Sequence, residues 1–155
     1  MKPTDWQIGD YALAKPSMML IKFAAVHHKK VGYHAVTHKL NWVRMDLLEP
    51  IPLTKEILEK SGFYFGYTSD EEDLASNTVA QLSEEDKGWV WDEGDGSIKV
   101  ILPNESDGGM IIIDDQSFDR HLSLVYNNEV YVHELQHALR LCGLNELADN
   151  FKLAG

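Results

Sequence analysis

Hydrophobic and polar positions alternate in short steps over residues 8–48, the period of half-buried strands. "IGDYALA" reads as a first strand, and "MMLIKFAAVH" follows Lys15-Pro16. "HKKVG" makes a polar turn, "YHAVTH" alternates again, and "WVRMDLL" completes the set. Strands at this spacing predict a small curled antiparallel sheet or barrel. The pattern then changes. In "EPIPLTKEILEKSGF", Pro50 and Pro52 stop the strand and Thr54 offers an N-cap. Glu56 suits the first turn and Gly62 the left-handed stop, which predicts a short helix over 55–61.

Beyond it, "FYFGY" reads as an aromatic strand and the acidic stretch 68–88 mostly as loop. "WVWDEGDGSIKVIL" carries two apolar runs around a Gly/Asp turn, a hairpin signal. "PNESDGG" is a loop, "MIIID" a buried strand and "HLSLVY" an alternating one. A helix is expected from about 129 to 142, ended by Gly143, with a second short helix capped by Asn145. The fold class is α+β, a single domain over 1–155 with a β-rich part (1–48) and an α+β part (49–155).

Charge sharpens that division. The net charge is −11, yet residues 1–45 sum to +5 and residues 46–155 to −16. The acidic part repels phosphates, so duplex nucleic acid is not an expected partner. The basic part can hold a small anion or an acidic protein, and in the plainest reading the two parts attract each other. Its cations lie among aromatic residues, and Lys22, Lys29, Lys30, Tyr33, Lys39, Trp42 and Arg44 form the candidate binding set. His27, His28, His34 and His38 surround the same turn, but alternation sends neighbours to opposite faces. The longest apolar runs, Met18–Ile21 and Gly109–Ile113, are strand-sized, and no membrane partner is expected. The lone Cys142 excludes an internal disulfide framework, and with no signal-peptide pattern it points to the cytoplasm.

One stretch carries candidate chemistry. His133-Glu134-Leu135-Gln136-His137 spells the His-Glu-x-x-His pattern, in which two histidines one helical turn apart bind zinc and the glutamate activates its water. A metalloprotease would also need a third ligand. The metzincin positions hold Arg140 and Gly143, which leaves Glu146 or Asp149. On the helical wheel, Tyr131, Leu135, Ala138, Leu139 and Cys142 form an apolar stripe. His133, Gln136, His137 and Arg140 lie opposite and are expected to be exposed. The primary expectation is therefore no catalytic residue and no cofactor; the alternative is a zinc hydrolase with Glu134 as base. "EGDGS" lacks the lysine and helix of a phosphate loop, and Asp114-Asp115 reads as a solvated turn.

"LEPIPLTKEILEKSGF" (48–63) and "YVHELQHALRLCGL" (131–144) resemble a group of small uncharacterised proteins of Bacteroidetes and their phages and prophages. That group also opens with a stretch like "IGDYAL". Its C-terminal helix usually reads His-Gln-Leu-Gln, with Asn often at the last position. This chain departs at Glu134 and His137, so the resemblance implies that the zinc pattern is incidental and that Leu135 serves packing. It implies a phage or mobile-element setting and brings no activity. The function expected from all of this is a binding or accessory protein in a bacterial host cell. It would engage a host protein or a small anionic ligand such as a nucleotide, with counter-defence as one such role, and could self-associate as a homo-oligomer.

Overall fold

A computed structural model describes residues 6–34, 39–67, 87–93, 96–103, 108–115, 120–126, 129–151 and 153. The loop expected over most of 68–88, and His38, fall outside the described residues.

The N-terminal part builds two three-stranded antiparallel sheets. β1 (Tyr11–Ala14) lies between β2 (Met19–Lys22) and β6 (Leu48–Glu49). β4 (Lys30–His34) lies between β3 (Ala25–His27) and β5 (Leu40–Arg44). A 3₁₀ turn, Met45–Leu47, carries the chain from β5 into β6. The run read as one strand, 18–27, is thus divided at Phe23-Ala24 between the two sheets. Alternation explains the joint core. Ala12, Ala14, Ile21 and Val31 turn inward, where they meet Trp6, Phe23, Met45 and Leu48.

The larger core lies under a five-stranded antiparallel sheet in the order β11-β10-β9-β8-β7. β7 is Tyr64–Gly66, β8 Gly88–Glu93, β9 Gly96–Ile101, β10 Gly109–Asp115 and β11 Arg120–Tyr126. The predicted hairpin is β8–β9. Ile98 faces Ile113 and Val100 faces Ile111 across the β9–β10 ladder, so all four share one buried face. Asp114 and Asp115 are the last residues of β10 rather than a turn; they pair with β11 and β9.

Helix α1 (Lys55–Lys60) begins where Thr54 Oγ1 accepts from the Ile57 amide at 3.3 Å, and Gly62 takes φ 99° beyond its end. Helix α2 (Val132–Leu141) starts later than its periodicity predicts. Val130 and Tyr131 stay extended because the Leu53 amide donates to Val130 O and the Val132 amide to Ile51 O. The stripe of α2 (Leu135, Ala138, Leu139, Cys142) is buried in the larger core as expected. Gly143 (φ 78°) ends the helix, and α3 (Asn145–Asp149) follows. Asn145 is inside α3 and does not cap it; Leu144 holds the cap position without a side-chain bond. Among the described residues, no helix is long and apolar enough to cross a membrane.

Candidate functional site

The polar face of α2 is not a surface, contrary to the wheel's expectation. His133 is 3% exposed and Gln136 0%. What covers them is the segment Trp6–Tyr11, which leads into β1. Gln7 and Asp10 close a tight turn there: the Asp10 amide donates to Gln7 O, and Asp10 Oδ2 accepts from the Gln7 amide at 2.7 Å. The turn drives the fully buried Asp10 carboxylate against α2. Its Oδ2 lies 2.7 Å from His137 Nε2, and its Oδ1 accepts from Arg140 Nη1 at 2.7 Å. Gln136 bonds the backbone on either side. Its Nε2 donates to Gly9 O at 2.9 Å and to Ala148 O at 2.8 Å, and its Oε1 accepts from the Tyr11 amide at 3.2 Å. Gly9 must be glycine: φ is 91°, and a Cβ would come within 2.8 Å of Arg140 Nη2.

Each member of the His-Glu-x-x-His pattern therefore has structural work. The His133 ring lies between Trp6 and Tyr131, with centroids 4.7 and 5.9 Å away. Glu134 Oε1 accepts from the Tyr131 amide at 3.0 Å and caps α2. Burial, and after it the Glu134 charge, pushes the nearby Tyr126 phenol up to about 12. His137 is held by Asp10. The two proposed third ligands do not complete a metal set. Glu146 is exposed, and Asp149 turns its carboxylate toward Arg140, with Oδ1 3.6 Å from Nη2. Among the described residues no group of three or more His, Cys, Asp or Glu side chains is placed to hold a metal ion.

The basic candidate set divides. Lys22 Nζ donates to Asp149 O at 2.9 Å and lies over the Tyr11 ring, so it helps to tie the two parts together. Tyr33 packs on the inner core of the N-terminal sheets. Together with Met19–Ala24 and His34, these two line an open groove of ≈ 630 Å³. Lys29 sits at the β3–β4 turn and Lys39 just before β5, both exposed.

Lys30, Trp42 and Arg44 do converge. Directly opposed residues of antiparallel strands share a face. The register places His27, Lys30 and Arg44 in one row across β3–β4–β5, and Ala25, Gly32 and Trp42 in the next. This face points outward; His27, Lys30 and Arg44 are exposed, and Trp42 is 48% exposed. Gly32, in the middle, is buried beneath the Leu40 side chain. A Cβ there would meet Leu40 Cδ1 at 3.0 Å and Ala25 Cβ at 3.3 Å. The Trp42 ring reaches His27 on the far strand, edge-on at 6.4 Å. His27 was not in the candidate set; its place in the row depends on the β3–β4 register.

Comparison with family models, with curated proteins and with solved structures finds no match for this chain.

Proposed function

We propose that this is a non-catalytic binding protein that takes a small anionic ligand on the outward face of β3–β4–β5. One observation carries the reading. Lys30 and Arg44 stand directly opposite each other with His27 completing the row. Like charges in that position destabilise a sheet. Arg44 has one acid nearby, with Nη2 2.5 Å from Asp46 Oδ2; no described acidic residue pairs with Lys30. An anion across the row relieves the repulsion, and Trp42 beside it adds an apolar contact. Against catalysis stands the helix motif, whose glutamate and second histidine are committed to a cap and to a buried carboxylate. The buried lone Cys142 suits the reducing interior of a bacterial cell, the setting we propose.

The test is thermal denaturation and calorimetry with phosphate, pyrophosphate, inorganic tripolyphosphate and nucleoside phosphates. Binding of a polyanion is expected, with loss of affinity in Lys30→Ala/Arg44→Ala and as salt rises. No binding by any anion, or equal binding by the double variant, rejects the reading.

A further inference from the structure

We infer that the ligand of this face is a short single-stranded oligonucleotide, with a base stacked on Trp42 and its phosphates on Lys30 and Arg44. The inference rests on the anion-binding reading above and adds its chemistry. The cationic row and the Trp42 row are consecutive on one face, so they are two residues apart along each strand, about 6.6 Å. An anion site alone has no need of an exposed indole next to the cations. A base and its own phosphate, by contrast, present an apolar ring and a charge at once. Exposed aromatics on a small sheet, flanked by cations, are the arrangement on which unpaired bases stack.

Three features narrow the ligand further. The face is open: Trp42 and Leu40 are 48% and 41% exposed. A free mononucleotide is best held in a concave site that encloses most of its surface. An open platform instead favours a chain that lies across it. In a duplex, stacking between neighbouring base pairs covers the base faces that Trp42 needs, so a duplex does not fit. The cations are few and the protein as a whole carries −11, so a long polyanion meets repulsion beyond the patch. The fitting occupant is a strand of a few nucleotides.

The experiment is fluorescence anisotropy of the full chain with a fluorescein-labelled hexauridylate, over a range of salt. Binding is expected, with a log-log salt slope near 1.4 for two phosphates on a single strand. Trp42→Ala should weaken it roughly tenfold and Trp42→Phe much less, because stacking needs only a ring. Lys30→Gln should lower the slope to about 0.7. Circular dichroism of each variant checks the fold. Absence of binding, or equal affinity in Trp42→Ala, overturns the inference. So does competition by tripolyphosphate or by uridine monophosphate as strong as by unlabelled hexamer. In the tripolyphosphate case the anion-binding reading survives and only the stacked base is lost.

Discussion

Two faces of this protein are rich in polar and aromatic side chains, and they meet opposite fates. On α2, His133, Gln136, His137 and Arg140 are covered by Trp6–Tyr11, and each of the last three has a partner at hydrogen-bond distance. On β3–β4–β5, His27, Lys30, Trp42 and Arg44 stay outward, and two cations stand side by side. The first arrangement lowers the energy of the folded chain by itself. The second raises it slightly and gains only when something else arrives. A polar face with complementary groups from the same chain is structural; one that sets Lys30, with no acidic partner among the described residues, opposite the Asp46-paired Arg44 points to a ligand.

The strongest test of the first face is Asp10→Ala. Asp10 is fully buried, is the counter-ion to Arg140 and lies at hydrogen-bond distance from His137. Removing one partner of a buried pair strands the other, at about 3–5 kcal/mol. Urea unfolding should show this loss, while the second face should bind its ligand as before. A loss below about 1 kcal/mol would mean that the N-terminal segment does not lock the helix. Asp10→Asn separates charge from shape, since the amide can still accept from the Gln7 amide.

Much of the fold was legible because its signals are local. The Thr54 cap, the β8–β9 hairpin, the Gly143 stop and the burial of Cys142 all depend on residues within a turn or two. The start of α2 was misplaced because Val130 and Tyr131 bond residues 51–53, far away in sequence. The buried polar face was misread for a related reason. A wheel groups residues by side, but what covers a side can come from anywhere, here from more than a hundred residues upstream. A signal did exist. Asp5 and Asp10 are the only acids among residues 1–45, and Arg140 is a cation in the acidic part. The expected attraction between the parts is thus realised at Asp10 with its sign reversed. On the sheet, residue types suggested the right chemistry. Seven scattered positions were reduced to one face only through register, which kept Lys30 and Arg44 in one row and Trp42 in the next, and added His27.

A smaller effect is expected at Glu134, where the zinc alternative and the capping role part ways. Glu134→Ala removes the bond to the Tyr131 amide and should cost about 1 kcal/mol in unfolding experiments. Glu134→Gln should cost little, because glutamine makes the same bond in a capping box. A hydrolase would respond the other way, with Glu134→Gln stable but stripped of its general base. Peptidase activity in the native protein that disappears in Glu134→Gln would overturn the structural role assigned here.

The smallest effect has the most informative sign. Lys30→Glu places an acid opposite Arg44 and beside His27, turning a repulsive row into an attractive one. Opposed pairs of this kind contribute roughly 0.2–1 kcal/mol, so the variant should be slightly more stable than the native protein. It should also bind hexauridylate more weakly, because a phosphate now meets a carboxylate. A gain in stability with a loss of binding is what a face kept for a ligand predicts. If Lys30→Glu destabilises the protein instead, the row has an internal role, and the contrast between the two faces fails at that residue.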